Sequence, residues 1–594
     1  MDNFKKKLIV TTALEETWGK DSDIIFLGEW CCLYSREFVR NKRQYKVLPY
    51  HWSDNDKAFG DYQYLRLLNK KTLTELTVIL NRIHGEDYSE KTWSILIGHW
   101  LVKFVAVVFD RWSVINTYTG DQKYVETIML ETNPKNHVPA DSDEAMVFFI
   151  EDGWNHFLYG KMIEDYTNIS IKILSDKEPC AKIPVKKYQS LPLLILLTAK
   201  STLKGILLRL KLSFFKKGIF IFESTYLRFF DELKLNALLR WSASYISFDT
   251  LPRVNYNEKF RKWNLDAKGA DSEFEKILKD LLPVFMPRSF LEGYKSNSER
   301  DIGRNFTHET KVIFTSNSHY NNDAFKFYAM KKVSKGVRLV IGQHGGGSFN
   351  KYEGAMDFEL FISDKYLSPG NGNNKINSKV EGVGQLFNRL KSDKYNKNGP
   401  ALLVTVAMPR YSFCLFSAAL SSQMIDYFND QFLFFKNLTP EIQGKLLVRT
   451  YHGDYSWGQK ERWIDKFPNI MFDNNRKMDK SVQQSRLLIS TYSATTYNQT
   501  LAANVPTIFY WDTSCWKLSK ESDYLFEKLK KVGIFHATPQ SASTQVVKIW
   551  DDIEKWWQDP ELQSVRREYC RAYAYRTSDL TNNIKMALKD QNFF

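Results

Sequence analysis

The chain has 594 residues, 43% hydrophobic and 25% charged, an ordinary globular balance too long for one core and sized for two or three domains. Its net charge of +15 draws anions, but it carries no long Lys/Arg tail, RNP box or zinc-finger spacing. Phosphorylated small molecules and the inner membrane face are therefore the expected partners, and nucleic acid is not. The six cysteines form neither a CxxC pair nor a metal spacing, which predicts buried thiols in a reducing cytosol.

From the N-terminus, LIVTTA (Leu8–Ala13), DIIFLG (Asp23–Gly28) and YKVLPYHW (Tyr45–Trp52) read as short strands. A helix is predicted from about Asp61 to His84 by its three- and four-residue apolar spacing. The stretch Trp93–Trp112 is apolar on nearly every face, which predicts a helix buried inside its domain. The N-terminal apolar run is too short for a signal peptide. The longest apolar stretch, Leu191–Leu197, contains Pro192 and falls short of the roughly 20 residues of a membrane helix. The expectation is a cytoplasmic chain. Residues 182–217 set Lys200, Lys204, Arg209, Lys211, Lys216 and Lys217 among Leu and Phe. That pattern fits a helix lying on an anionic membrane, or equally the solvated face of a core helix.

GIFIFES (Gly218–Ser224) opens a cleaner alternation. Strand-like runs follow at Val312–Ser318, Val337–Gly345, Phe358–Asp364, Ala401–Ala407, Lys445–His452, Arg486–Ser493 and Pro506–Trp511. Helical patterns lie between most of them, at Ala324–Lys335, Ser417–Leu438 and Thr496–Ala503, with another at Ser519–Lys531. Strands that are apolar throughout, alternating with helices, predict a parallel sheet covered on both faces. The division expected is an N-terminal Rossmann-like domain with helical insertions over 1–306, a second Rossmann-like domain over 307–560, and C-terminal helices over 561–594 that pack back toward the first.

Ligands of parallel α/β sheets bind at the carboxyl ends of the strands. Four such ends are polar here. In GQHGGGSF, Gly345 and Gly346 let backbone amides converge on an anion, His344 adds a donor, and Gln343 can bond a sugar or base. In RTYHGDYSW, Arg449 can grip a phosphate, and Tyr451, His452, Asp454 and Tyr455 crowd the same loop; an Arg449–Asp454 salt bridge is the structural alternative. In STYSATTYNQT, Ser493, Thr495 and Thr496 stand where a helix begins, to cap it or to meet a phosphate. The fourth, with Ser316, Asn317 and His319, carries less. In the first half, Glu29 follows a buried strand and is placed as a general base, or as a cap or ion-pair partner. His51, Asp54, Asp110 and Arg111 are further acceptor contacts. Trp18, Trp30, Trp52 and Trp112 suit sugar stacking or a core. No DxD follows a strand, so no metal is expected.

LIVTTALEETWG, FLGEWC, LPYHW, the IGHWL…FDRW helix, GQHGGG, RTYHGDYSW, STYSATTYNQTLAANVPTIFYW, KKVGIFH and IEKWW together resemble a family of transferases from bacterial O-antigen and related surface-polysaccharide loci. The resemblance spans nearly the whole chain. It implies a GT-B-like fold, two Rossmann-like domains facing a cleft, and transfer from a nucleotide-activated sugar to a glycan or lipid-linked glycan, with the donor as co-substrate and no cofactor. In that pattern an acidic residue commonly stands where Asn498 is. QHG and the hydroxyl-rich loop are also similar to capsule transferases that use CMP-activated ulosonic acids; nucleotide-diphosphate sugars are the other donor class. On this view Gln343, His344, Gly345, Gly346, Arg449, Tyr451, Ser493, Thr495 and Thr496 bind the donor, while Glu29, His344 and Asp454 are the catalytic candidates. Two rival expectations are a CDP-polyol phosphotransferase and a noncatalytic polysaccharide-binding subunit.

Overall fold

The computed structural model describes residues 7–19, 23–41, 44–118, 120–122, 125–175, 219–266, 269–300, 310–346, 354–370, 377–387 and 390–589. The basic segment 182–217 lies outside them. The strands form three sheets, and every pairing is parallel. The first sheet holds β1 (Lys7–Val10), β2 (Ile24–Phe26), β3 (Tyr45–Val47), β4 (Val125–Leu130) and β5 (Ser170–Leu174) in the order 3-2-1-4-5. The second holds β6 (Phe220–Glu223), β7 (Ala243–Tyr245), β8 (Val312–Thr315), β9 (Arg338–Gly342), β10 (Lys365–Ser368) and β11 (Val380–Gly382) in the order 11-10-9-8-6-7. The third holds β12 (Ala401–Val404), β13 (Leu446–Arg449), β14 (Met471–Phe472), β15 (Leu487–Ser490), β16 (Thr507–Tyr510) and β17 (Phe535–His536) in the order 14-13-12-15-16-17.

The α/β Rossmann-like class is as expected, but the sheets divide the chain differently. β6 pairs with β8 across about ninety residues, Phe220 opposite Val312, so the boundary expected at 306/307 falls inside the second sheet. The strands expected in one domain over 307–560 belong to two sheets. Phe358–Asp364, read as a strand, lies mostly in the helix Gly354–Ile362 (α5). A short run of buried apolar residues cannot distinguish the two by periodicity.

The helices that matter for the site are few. The first, α1 (Asn55–His84), starts where the Asp54 carboxylate accepts the amides of Asp56 and Lys57, and ends where Gly85 turns left-handed at φ +70°. Next, α2 (Glu90–Asn116) is interrupted by a π-helical turn at Ser94–Gly98. By length and composition it could cross a membrane, but 83% of its apolar window is buried among the other elements, which makes it a core helix. The others are α3 (Ser142–Phe148), α4 (Phe229–Leu238), α6 (Thr495–Ala502), α7 (Pro560–Tyr573) and α8 (Leu580–Leu588). The C-terminal helix α8 crosses back to the second sheet's unit, where it packs on α4, accepts from Arg338 at the Leu588 carbonyl (2.8 Å) and donates from Asn583 to the Val383 carbonyl (3.1 Å).

Three buried clusters join the sheets. Arg111 on α2 is fully buried and pairs with Asp110 (2.5 Å); its other donors reach Asn155, the Phe149 carbonyl and Ser412 beyond β12. Asp110 also accepts from Tyr50 (2.8 Å) and contacts His51 (3.0 Å). Arg410, after β12, binds Asp152 (2.5 Å) and the Trp30 carbonyl. Asp323, after β8, accepts from Ser142 and Ser289 and pairs with Lys326 (2.8 Å). The first sheet's unit is thereby fastened to both of the others.

Removing Asp110 would leave the Arg111 guanidinium buried and uncompensated. Asp110→Ala is expected to cost about 3–5 kcal/mol, read as a lower urea midpoint. Burial also holds His84, His137 and His156 down to about 4. Between pH 6.5 and 4 the unfolded chain binds more protons at these rings than the folded one. Their stabilisation is complete above pH 6.5 and is lost as pH falls toward 4. Denaturant midpoints measured across that window should fall steadily.

Candidate active site

The carboxyl ends of the second and third sheets point into a common cavity of about 810 Å³. The second sheet contributes Asn317 to Ala324 after β8 and His344 after β9. The third contributes Val406 to Pro409 after β12, and Tyr451 and Tyr455 after β13. The first sheet's unit adds His99 and Lys103 from α2 and Asp141 and Asp143 at the start of α3.

His344 is exposed in this cavity, its Nε2 3.4 Å from the Tyr226 hydroxyl and its ring edge-on to Tyr226 and Tyr320. Tyr226 itself is held left-handed at φ +65°, with Ser224 at +49° two residues before it. Across the cavity Tyr455 and Ser456 repeat this at +51° and +63°. Non-glycine residues held in that region cost energy and gather at functional sites, and here both pairs sit just beyond strand ends.

The glycine loop does something other than cradle an anion with all its amides. Gly346 donates its N–H to the Thr495 hydroxyl (3.2 Å), so the loop of the second sheet touches the first turn of α6 in the third. A Cβ on Gly345, which sits at φ +76°, would lie 2.7 Å from that hydroxyl, and one on Gly346 would lie 3.0 Å from the Asn498 amide. Glycine is required for this approach. Gln343 is buried and donates to the Gly345 carbonyl (3.3 Å); its Oε1 has no partner among the described residues. Ser493 is buried just before α6, and Thr496 bonds Tyr492 (3.0 Å). No side-chain cap closes α6 at Ala494, and the positive end of this helix lies next to the glycine loop. Asn498, where an acid was expected, accepts from Tyr569 of α7 (3.0 Å) and donates to the Ala494 carbonyl (3.0 Å), two bonds that an ionised carboxylate could not both make.

Other sequence candidates lie elsewhere. Arg449 commits Nη1 to Asp473 (2.5 Å), the Asn475 carbonyl and Ser481, so its ion pair is with Asp473 and not Asp454. Asp454 caps the helix Gln459–Lys466, accepting from Gly458 (2.9 Å) and Gln459 (2.7 Å). Glu29 sits between the first and third sheets, not among the cavity's residues; burial raises its carboxyl, which Arg40 and Arg462 oppose. Trp18, Trp30, Trp52 and Trp112 are all buried in the core, and His51, Asp110 and Arg111 are bound to one another. His319 is buried against Glu359 (2.8 Å), behind the cavity wall formed by Tyr320.

Sequence reasoning missed Asp141, Lys103 and His99. Burial raises the Asp141 carboxyl, whose Oδ1 accepts the Glu144 amide (2.9 Å). His99 is held well below its usual value by burial and by the neighbouring Lys103. The available signal was a lysine and a histidine inside the otherwise apolar stretch Ile95–Phe109, since such groups are seldom buried unpaired.

The match to known families covers residues 7–588, by the model described as "LIC12162 family transferase". Among solved structures, MurG of Acinetobacter baumannii is 11% identical, with 62% of this chain and 98% of that one covered and a TM-score of 0.32. The S. aureus MnaA–UDP structure is 11% identical, covering 61% and 94% at a TM-score of 0.36. The UDP-GlcNAc 2-epimerase from Neisseria meningitidis bound to UDP-GlcNAc is 10% identical, covering 59% and 97% at 0.34. No curated protein matches. With the family match running from β1 to α8, the chain belongs to the LIC12162 family of transferases.

Proposed function

We propose that the protein is a glycosyltransferase that moves a sugar from a nucleotide-activated donor to a growing bacterial surface glycan. The observation that carries this reading is the meeting of two parallel sheets, carboxyl end to carboxyl end, with an uncapped helix N-terminus lying against the glycine loop. Such a junction suits a phosphorylated nucleotide. The donor's phosphate lies between α6 and His344, where negative charge grows as the bond to the sugar breaks. The acceptor hydroxyl approaches from the first sheet's side. There Asp141, whose carboxyl burial has made more basic, replaces Glu29 as the proton acceptor. The donor is a CMP-activated ulosonic acid or a nucleotide-diphosphate sugar, used without a further cofactor or metal, and the reaction takes place in the cytoplasm, at the inner membrane face. A CDP-polyol phosphotransferase would differ in leaving a phosphodiester in the product.

Thermal unfolding with CMP, CDP, UDP, GDP and ADP tests the donor site, because a ligand of the native state raises the melting temperature by mass action. One nucleotide should stabilise the wild type and lose most of that effect in His344→Ala. Stabilisation by none of the five would remove the support for this reading, and product mass separates a glycosidic link from a phosphodiester. Gly345→Ala should cost about 1–2 kcal/mol through its left-handed backbone. The same variant should shrink the nucleotide-induced shift by lifting the loop from Thr495; an undiminished shift would place the donor elsewhere.

A further inference from the structure

Two cavities share one wall. The polar one described above meets a second, of about 480 Å³, between α1, α2, α5 and the loop 413–416, at His99, Lys103 and Phe413, which line both. The second is bounded mostly by carbon, with Leu73, Val102, Ala106, Phe358 and Phe361 along its length. A void of that size is far larger than the gaps that close packing leaves in a core, and it falls within the range of ligand pockets.

That shared wall holds an unusual charge. The π-helical turn at Ser94–Gly98 ends where His99 begins, and His99 and Lys103 then fall one turn apart on the same face of α2. Lys103 is only 9% exposed, and its ammonium lies 4.6 Å from the centre of the Phe413 ring. Among the described residues it has no ion-pair or hydrogen-bond partner. Lys103 lines both cavities, and a ring face alone compensates only part of an ammonium's charge. The position therefore suits an anion, with aliphatic space on one side and the proposed transfer site on the other. At the outer edge, Arg66 and Lys70 of α1 are exposed and line the same cavity. On its inner side the Asn69 Oδ1 is buried with no partner among the described residues.

We propose that this cavity holds the hydrocarbon chain of a lipid-phosphate-linked acceptor, with the phosphate beside Lys103 and the acceptor sugar in the polar cavity. This rests on the glycosyltransferase reading and names its acceptor class. Charge selects the occupant: a purely apolar ligand or a packed side chain would leave Lys103 unpaired, whereas a chain ending in a phosphate satisfies both the carbon wall and the ammonium at its end.

Farnesyl phosphate and farnesol serve as probes, titrated calorimetrically into the full chain. The wild type should bind farnesyl phosphate at least tenfold more tightly than farnesol. Val102→Trp, which fills the cavity from a half-buried helix position, should weaken farnesyl phosphate at least tenfold. Lys103→Met should abolish the preference for the phosphate. Phe361→Asp, at a position 40% exposed where a polar side chain stays solvated, gives a second block if Val102→Trp misfolds. No binding by the wild type, or binding undiminished by both cavity variants, would overturn the proposal. The nucleotide-induced thermal shift is measured in parallel on Phe361→Asp. A preserved nucleotide shift without lipid-phosphate binding sinks the acceptor assignment alone, whereas lipid-phosphate binding without any nucleotide response sinks the transferase reading beneath it.

Discussion

The guanidinium of Arg111 sets the terms for the rest of the molecule. It cannot shed its charge, and at full burial it needs an acceptor in each direction its donors point. Those acceptors come from α2 itself, from Asn155 and the Phe149 carbonyl in the first sheet's unit, and from Ser412 in the loop after β12 of the third sheet. None of the three suffices alone. The first and third units must dock for the site to be satisfied, which fixes α2 relative to β12. The same helix carries His99 about 18 Å and Lys103 about 12 Å further toward its N-terminus, at 1.5 Å per residue. It thus presents them at the edge of the polar cavity, and the Lys326–Asp323–Ser142 cluster fixes the second sheet against the same unit.

The strands were readable because a parallel strand buried on both faces is a short unbroken apolar run, as in β8, β9, β12 and β15. Their partners were not. β6 and β8 are neighbours in space with about ninety residues between them, and nothing local in GIFIFES distinguishes an edge of one sheet from the end of another. The helix α5 shows the same limit on a smaller scale: FELFI is apolar and short, and only its packing against α2 decides its form.

For the site, the rule that ligands gather at strand carboxyl ends singled out His344 and Tyr451, which line the cavity, and Thr495 and the glycine loop, which touch each other. It failed where a polar residue after a strand serves the backbone. Asp454 and Glu29 follow strands as a catalytic acid would, but one caps a helix and the other lies at a contact between sheets. The heavy load of tryptophan proved to be core: Trp18, Trp30 and Trp52 are each about 1% exposed. Asp141 and Lys103 were hidden for the opposite reason. They reach the cavity from a unit whose place beside it depends on contacts between distant segments.

The chain passes between the second and third sheets twice, once between β11 and β12 and again where α7 leads into α8 on α4. Two crossings side by side act as a door hung on two hinges, permitting rotation about one axis only. The first unit then latches that door on both leaves, through Asp323 on one and Arg410 with Arg111 on the other. Swinging it open would strip buried charges of their partners. A wide opening of the cleft therefore carries the cost of uncovering those buried charges.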